Sequence, residues 1–358
     1  MSQTVQVDRS EFTRGQVVSA DPAPLGDGEA RLRVESFSVT ANNVTYAVAG
    51  DAFGYWNFFP AEAGWGVVPM WGHAVVEASN HPDVAVGERV YGYLPMASHL
   101  VVLPSGVGPG GFSDAAAHRQ PMSPVYNQYT RLAVDPEHDP AREAERMIFG
   151  PLFRTGYLIE TMMRGAGWFG AEVLICTSAS SKTAMGLASV SREKSPQIRR
   201  IGLTSAGNAG FVRATGFYDE VLSYDAIASL PKRAAVLVDF AGNAVLVHAV
   251  HTAMGDNLRY SSMVGATHVG AGFGQDAGPL PGPAPVLFFA PDYAVAALKE
   301  LGPKAFGEAV AVSWGKFLQA AGAAVQVDER LGLEAALEAF VATAEGRADP
   351  AVGIVIRP

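Results

Sequence analysis

Apolar positions in the first part of the chain follow the short period of β-strands. Four valine-rich segments, each bounded by Gly, Pro, Asn or Asp, show this pattern: ARLRVESFSVT, HAVVEAS, GERVYGYLP and HLVVLP. Short segments of this composition with turn-forming residues at both ends are typical of strands. The pattern therefore predicts a β-rich N-terminal region.

From about residue 140 onward the apolar positions change to helical spacing. The segment DPAREAERMIFGPLFRTGYLIETMMRGAG begins with acidic residues and ends in glycine, as helices do. Strand-like and helix-like segments then alternate: AEVLICTS, KTAMGLASVSREK, RRIGLTS, NAGFVRATG, DEVLSYD, AAVLVDFAG, NAVLVHAVHTAMG and LRYSSMVGATH. This alternation predicts a parallel, doubly wound sheet. The Gly/Pro-rich loop at 270–285 precedes PVLFFAP, a candidate sixth strand, and the C-terminal segment predicts a helix, a loop and a final strand.

Composition narrows the function classes. The 358 residues are 49% hydrophobic and 17% charged, which suits two domains with sizeable cores. The net charge is -9 and no stretch is strongly basic, so nucleic acid is not an expected partner. No apolar run reaches the roughly 18 residues of a membrane span, and the N-terminal residues lack the apolar core of a signal peptide. We therefore expect a cytoplasmic protein.

Cys176 is the single cysteine, so a disulfide or a multi-cysteine zinc site is not expected.

Four parts of the sequence carry a resemblance to a known family: VTANNVTYAVAG, VVPMWGHAVVEAS with the following VAVGERVYGY, FRTGY, and LGLEAALEAFVATAEGRADPAVGIVIRP. In this order they resemble the medium-chain dehydrogenase/reductase superfamily, and the chain looks like a divergent branch of its zinc-free quinone and enoyl reductases. The resemblance covers nearly the whole chain. It implies an α/β protein with a GroES-like β-rich catalytic domain (1–139 and 305–358) and a Rossmann-type cofactor-binding domain (140–304). It also implies a homodimer.

The zinc ligands of the related alcohol dehydrogenases are mostly missing. In those enzymes a cysteine stands near the position of Asn43, a histidine at His73 and a second cysteine near Leu152. Since only His73 is kept, no catalytic zinc is expected. His73 is then either a hydrogen-bonded residue of the core or pocket, or a catalytic acid or base.

The stretch TSASSKTA follows the strand-like EVLIC and takes the place of the family's glycine-rich turn. Alignment on the strand end puts Thr177, Ser180 and Thr183 where small residues or glycines belong. The helix beginning near Lys182 still offers free N–H groups and a positive dipole end to a phosphate. The side chains that would add donors or charge are Ser178, Ser180, Ser181, Lys182 and Thr183. The alternative is that these residues only cap the helix.

Other cofactor contacts are implied by position. Thr204 and Ser205 stand at the end of the second strand, where NAD-binding proteins carry an acid, and this favours NADP(H) over NAD(H). Tyr224 resembles the tyrosine near the extra phosphate in quinone reductases. Thr155 resembles a residue that contacts the nicotinamide, and Phe288 is expected beside the nicotinamide ring or at a dimer edge.

Candidates for chemistry lie in the β-rich region. Tyr46 and Asn43 occupy the segment where zinc-free relatives place catalytic donors, although Tyr46 could equally be a strand or pocket-wall residue. In the aromatic-rich segment after residue 52, Tyr55 and Trp56 are expected to line the substrate cleft or to pack in the core. Tyr126 and Asn127 could orient a polar substrate group, or could hold the interdomain hinge through hydrogen bonds.

These observations predict a zinc-independent, NADP(H)-preferring oxidoreductase. Its substrate would be a small apolar or aromatic enone, quinone or related carbonyl compound, reduced by hydride transfer. One alternative is a lyase or isomerase acting on a ketone with the same scaffold. Another is a non-catalytic protein that binds a dinucleotide or another ligand. The glycine-free turn motivates this second alternative.

Overall fold

A computed structural model describes residues 1–264 and 280–358 of the chain. The chain divides into two compact units. Unit 1 consists of Met1–Ile148, Val327–Ala348 and Gly353–Pro358, and unit 2 consists of Phe149–Gln326 and Asp349–Val352. No helix among the described residues is long and apolar enough to cross a membrane.

The elements named below have the following bounds. The strands are β1 (Ser2–Asp8), β2 (Gly15–Ala20), β3 (Ala30–Val39), β4 (Trp65–Gly66), β5 (Pro69–Ser79), β6 (Arg89–Pro95), β7 (His99–Val102), β8 (Pro104–Gly108), β9 (Gly111–Asp114), β10 (Gln128–Arg131), β11 (Val173–Cys176), β12 (Arg199–Thr204), β13 (Glu220–Ser223), β14 (Ala235–Asp239), β15 (Leu258–Met263), β16 (Val286–Leu287), β17 (Gln326–Leu331) and β18 (Val352–Arg357). The α-helices are α1 (Ala41–Val48), α2 (Glu143–Gly165), α3 (Lys182–Lys194), α4 (Ala209–Thr215), α5 (Ala244–Met254), α6 (Ala290–Leu301), α7 (Pro303–Ala324) and α8 (Leu333–Ala344).

Unit 1 is built on β-sheet, as the sequence predicts. Its larger sheet has the order β17-β18-β3-β5-β6-β10-β9-β8, with β7 pairing β3, and a smaller sheet has the order β2-β1-β4. Long strands β3, β5 and β6 form the centre of the larger sheet through antiparallel pairing. Their inward side chains are valine, leucine, methionine and aromatic residues that are almost fully buried.

Helix α1 corrects the idea that Tyr46 could lie on a strand. The helix begins after Thr40, whose backbone N–H donates to Asn43 Oδ1 at 2.7 Å. This reciprocal arrangement at a helix start satisfies donors that would otherwise lack a partner. Tyr46 therefore projects from a helix, where it is buried.

Unit 2 contains a parallel sheet with the strand order β13-β12-β11-β14-β15-β16. Each neighbouring pair is parallel, and all four residues of the central β11 are buried. The order reverses between β11 and β14, which is the doubly wound arrangement predicted from the alternating segments. The segment LRYSSMVGATH forms β15 only as far as Met263. Its residues from 265 on, and 270–279 of the predicted loop, lie outside the described residues.

Helices α6 and α7 were not predicted. Helix α7 packs its aromatic side chains within unit 2: the Phe317 ring lies 5.0 Å from Phe153 and 5.4 Å from Phe149, between ring centroids. The sequence assigned residues from 305 onward to the first domain, whereas Pro303–Ala324 belongs to unit 2.

Candidate functional site

The turn between β11 and α3 begins with a fully buried threonine. Thr177 Oγ1 is hydrogen-bonded to Asp239 Oδ1 and accepts the N–H groups of Phe240 at 3.0 Å and Ala241 at 3.2 Å. Burial raises the pKa of Asp239, while the Thr177 hydroxyl opposes that shift. Thr177 thus joins the ends of β11 and β14 at the point where the strand order reverses.

Ser178 adopts the backbone conformation that glycine usually supplies. Its φ is 46°, which lies in the left-handed region. Its N–H donates to the Tyr224 hydroxyl at 3.2 Å, so Tyr224 reaches the turn from the end of β13. The sequence placed the glycine-like positions at Thr177, Ser180 and Thr183. The structure shows that the left-handed residue is Ser178, within the run of small residues in TSASS.

The start of α3 is capped by its own serine. Ser181 Oγ accepts the Ala184 N–H at 3.3 Å, and the Met185 N–H bonds the Ser181 carbonyl at 3.0 Å. Helix geometry leaves the N–H groups of Lys182 and Thr183 without an intrahelical acceptor. Ser180 is 8% exposed, and its hydroxyl accepts from Asn208 Nδ2 at 3.4 Å.

Lys182 is held by the chain rather than extended into solvent. Its Nζ donates to the Pro350 carbonyl at 2.9 Å. Burial lowers the pKa of Lys182 to about 8, and the nearby Asp349 carboxylate opposes this shift. The predicted phosphate contact through this amine would need the bond to Pro350 to break.

The remaining predicted cofactor residues occupy separate places in unit 2. At the end of β12, Thr204 is buried and Ser205 is exposed. Thr155 Oγ1 donates to the Pro151 carbonyl at 3.1 Å inside α2. The buried Phe288 stacks on Tyr293, with ring centroids 4.2 Å apart. Their roles towards a nucleotide stay predictions.

In unit 1, residues from distant segments meet in what we call the tyrosyl cluster: Tyr46, Tyr55, Trp71, Tyr93 and Tyr126. The Tyr46 ring centroid lies 4.7 Å from Tyr55, 5.4 Å from Tyr93 and 6.3 Å from Tyr126. Trp71 Nε1 donates to the Tyr46 hydroxyl at 3.1 Å, and the Tyr55 and Tyr126 hydroxyls are 3.2 Å apart. The structure thus brings together three of the predicted tyrosines.

Sequence analysis missed Tyr93 and Trp71. The two face each other across the β5–β6 pair. A signal was present, since PMWGH and VYGYLP each place an aromatic residue on a predicted strand, but the strand register was needed to pair them.

Burial keeps the phenols of the cluster protonated. It raises the pKa of Tyr46 and Tyr55, and it raises the pKa of Tyr93 and Tyr126 well above the ordinary value near 10.0. At neutral pH these hydroxyls are therefore hydrogen-bond donors rather than bases.

Asn43 and Trp56 are occupied within the fold. Asn43 Oδ1 accepts from Thr40, and Nδ2 donates to the Pro69 carbonyl at 2.8 Å. The Trp56 indole packs so closely on Gly50 and Gly66 that a Cβ added at either would lie 2.1 Å or 2.5 Å from it. The predicted catalytic role of Asn43 and substrate role of Trp56 stay predictions.

A buried arginine holds the segment that carries Tyr126 and Asn127. Arg119 is fully buried and forms an ion pair with Asp114 at 3.1 Å. Its Nε donates to Asn127 Oδ1 at 3.0 Å, and its Nη2 donates to the Tyr126 carbonyl at 2.8 Å. These bonds lie within unit 1, and both roles expected of Asn127 stay predictions.

His73 is fully buried on β5, and neither ring nitrogen has a hydrogen-bond partner within the described residues. Burial lowers its pKa to about 3, so the ring is neutral under ordinary conditions. Among the described residues no group of three or more His, Cys, Asp or Glu side chains could hold a metal ion.

Comparison with family models identifies the chain's family. The model described as "Protein of unknown function (DUF2855)" matches residues 37–349. The chain belongs to this family. The match runs from β3 to the segment Asp349–Val352, so it includes both the tyrosyl cluster and the turn at 177–184. A search of curated proteins gave no match.

Solved structures share the fold of this DUF2855 chain. CurA from Vibrio vulnificus, in complex with NADPH, has a TM-score of 0.61 at 16% identity, over 99% of this chain and 98% of its own. The yhdH oxidoreductase from Salmonella enterica, in complex with NADP, has a TM-score of 0.56 at 15% identity over 100% of both chains. A putative NADPH:quinone reductase from Bacillus thuringiensis has a TM-score of 0.60 at 12% identity, over 100% and 99%. The chain thus has the two-domain fold of the medium-chain quinone and enoyl reductases.

Proposed function

We propose that this protein is a zinc-independent, NADP(H)-dependent oxidoreductase that reduces an enone, quinone or related carbonyl compound. The observation that carries the proposal is the strand–turn–helix formed by β11 and α3. It begins at the central strand, where the order of the parallel sheet reverses, and this is where doubly wound proteins bind nucleotides. Likeness to structures that contain NADPH or NADP supports the choice of cofactor.

The donors at this turn suit a pyrophosphate. The N–H groups of Lys182 and Thr183 point out of the first turn of α3, and the helix dipole favours negative charge there. The Ser180 hydroxyl and, after release from Pro350, the Lys182 amine would add further donors. At the end of β12, Ser205 stands where a carboxylate would repel the extra phosphate of NADP, which supports NADP(H) over NAD(H).

A bound nicotinamide would supply the hydride. On the substrate side, Tyr46 is the proposed proton donor, with a water molecule as the alternative source. Burial raises the pKa of the Tyr46 hydroxyl, so the proton is in place to form a hydrogen bond to a carbonyl oxygen. Zinc-independence is supported by Asn43 and Leu152, which stand where related alcohol dehydrogenases carry cysteine ligands.

The test is calorimetric binding of NADPH and NADH to the wild type, to Thr183→Asp and to Thr183→Asn. Aspartate in the first turn is compatible with the helix dipole but repels a phosphate, whereas asparagine has the same shape without charge. We expect micromolar NADPH binding that Thr183→Asp weakens at least about tenfold, roughly 1.4 kcal/mol. The NADPH affinity of Thr183→Asn should stay close to that of the wild type. Failure of the wild type to bind either nucleotide would overturn the proposal.

One observation favours the second candidate, a protein that binds a ligand without dinucleotide chemistry. The Ser178 N–H, which a glycine-rich turn would offer to a phosphate, is taken by the Tyr224 hydroxyl. Tyr224→Phe frees this donor. If NADPH bound only to Tyr224→Phe and not to the wild type, the second candidate would replace the first. The lyase or isomerase alternative would instead require a product at the oxidation level of its substrate.

We also propose that the protein acts in the cytoplasm as a homodimer. The two residues of β16, at the edge of the parallel sheet, support the dimer. Val286 is 45% exposed and Leu287 is 39% exposed, so the edge presents apolar side chains to solvent.

A further inference from the structure

The tyrosyl cluster contains a buried hydroxyl that the fold does not satisfy. Tyr93 is fully buried, and its hydroxyl has no hydrogen-bond partner within the described residues. Leaving such a group unsatisfied costs about 1–3 kcal/mol. The ring itself is firmly placed, with centroids 4.7 Å from Tyr126, 5.4 Å from Tyr46 and 5.1 Å from Trp71. The hydroxyl is therefore held among the other polar groups of the cluster.

The hydroxyl groups of the cluster carry more protons than the hydrogen bonds within the cluster use. Tyr55 and Tyr126 share one hydrogen bond, which uses one of their two protons. The Tyr46 oxygen accepts the Trp71 N–H, and the Tyr46 hydroxyl also interacts with the hydroxyls of Tyr93 and Tyr126. Together with the free O–H of Tyr93, the cluster holds surplus donors whose protons stay in place because burial raises the pKa of every one of the four phenols.

The surroundings are mainly aromatic. The apolar residues that pack in this cluster include Phe58, Phe59 and Met122. The Arg119 guanidinium lies behind Phe58, 5.3 Å from its ring centroid, and is paired with Asp114. A ligand here would meet flat aromatic walls and neutral O–H donors. The cluster reaches solvent at Trp71, which is partly exposed.

We propose that the tyrosyl cluster is an oxyanion-binding site that takes the oxygen atom of a planar, conjugated enolate or phenolate, with Tyr93 as one of its donors. Neutral donors fixed in a low-dielectric site stabilise a developing oxygen charge strongly, because they need not reorganise as it forms. The aromatic walls select a flat conjugated ligand. The enolate as natural ligand rests on the proposed function: hydride addition to the β-carbon of an enone moves the electron pair onto its oxygen.

The test uses 4-nitrophenol, because its absorption spectrum separates the ionised from the neutral form. It is titrated into the wild type, Tyr93→Phe and Tyr260→Phe, without nucleotide. Tyr93→Phe keeps the ring and removes the unsatisfied hydroxyl, so its melting temperature should equal or exceed the wild type's. Tyr260→Phe makes the same change in unit 2, where the ring stacks on Phe169. Nitrobenzene serves as the probe without a hydroxyl.

We expect the wild type and Tyr260→Phe to bind the probe in ionised form. Tyr93→Phe should bind it about 10–100-fold more weakly, as for loss of a hydrogen bond to a charged group, and all three should bind nitrobenzene alike. Tyr126→Phe, which also removes a donor, should likewise weaken binding of the ionised probe. The inference is overturned if the wild type binds no probe, binds only the neutral form, or binds as tightly as Tyr93→Phe.

The assay separates this inference from the proposed function. If the protein binds nitrophenolate through Tyr93 but does not bind NADPH, the proposed oxidoreductase fails and the oxyanion site stands. If NADPH reduces an enone while nitrophenolate binding is indifferent to Tyr93, the oxidoreductase stands and the site assignment fails.

Discussion

At the scale of single residues, buried polar side chains in unit 1 divide by whether the fold satisfies them. The amides of Asn43 and Asn127 are bonded to neighbouring backbone and side-chain groups. The Tyr93 hydroxyl and the His73 ring are not bonded within the described residues. An unsatisfied buried polar group destabilises a fold, so a purely structural role does not explain why Tyr93 and His73 are polar residues.

His73 predicts a pH dependence of stability. Burial holds its folded-state pKa at about 3, below the ordinary 6.5. Below about pH 6.5 the unfolded chain takes up a proton that the folded chain does not. The free energy of unfolding therefore decreases as the pH is lowered, by up to about 1.4 kcal/mol per pH unit, until about pH 3. We expect His73→Leu, of similar volume, to flatten the slope between about pH 6.5 and pH 5 in urea unfolding.

The control for this effect is His118→Gln, since His118 is exposed. Its pH profile should match that of the wild type. A His73→Leu profile as steep as the wild type's would show that other groups cause the acid loss of stability.

Particular residues show what sequence could and could not predict at this scale. Tyr46, Tyr55 and Tyr126 were singled out from three segments, but their meeting point depends on Tyr93 and Trp71, which only the β5–β6 register brings opposite each other. Likewise, alignment put glycine-like positions at Thr177, Ser180 and Thr183. The backbone turns at Ser178 because Thr177 is fixed to Asp239 across the sheet, a contact between residues 62 apart in sequence.

At the scale of elements, local signals predicted well where the end of an element is set by nearby residues. Helix α3 spans Lys182–Lys194, the predicted range, because Ser181 caps it and its apolar positions have helical spacing. Helix α1 was missed because its start depends on Asn43 bonding back to Thr40 in a segment of low helical propensity. No element was assigned over α6 and α7, although the alanine-rich sequence there favours helix.

The crossing of α2 and α3 depends on two glycines. A Cβ at Gly156 would lie 2.5 Å from the Leu187 nitrogen and 2.9 Å from the Thr183 carbonyl oxygen, and one at Gly186 would lie 3.1 Å from Phe153 Cα. Because these contacts are with backbone, a side chain at Gly156 must push the helices apart. We expect Gly156→Ala to lower the free energy of unfolding by about 1–3 kcal/mol in urea titrations.

Gly165→Ala in the same helix is the matched control, since a Cβ there meets nothing within 4 Å. Alanine should leave stability unchanged or raise it by up to about 1 kcal/mol. Thr183 lies in the first turn of α3, so Gly156→Ala should also weaken NADPH binding. Equal stability of the two variants would refute a backbone-tight crossing.

At the scale of the whole molecule, the alternation of strands and helices was enough to predict the parallel sheet of unit 2. A parallel sheet needs a crossover between successive strands, and these crossovers place the first strand at the centre of the order β13-β12-β11-β14-β15-β16. The membership of Pro303–Ala324 in unit 2 depends instead on contacts between distant aromatic residues, such as Phe317 with Phe153. Sequence spacing carries no information about contacts of that kind.

The proposed homodimer is the prediction that belongs to this scale. Among the described residues, strand β16 ends the parallel sheet, and its apolar Val286 and Leu287 are 45% and 39% exposed. Pairing two such edges would extend the sheet and cover both apolar side chains.

We expect the wild type to sediment at twice the chain mass of 37.6 kDa. In Leu287→Lys, two charges brought together in the interface should shift the equilibrium to monomer. Val245→Lys puts the same charge at a residue on α5 that is 76% exposed, and it should leave the dimer intact. A wild type that stays monomeric as concentration rises would refute the dimer. A Leu287→Lys variant that still sediments as a dimer would move the interface away from β16.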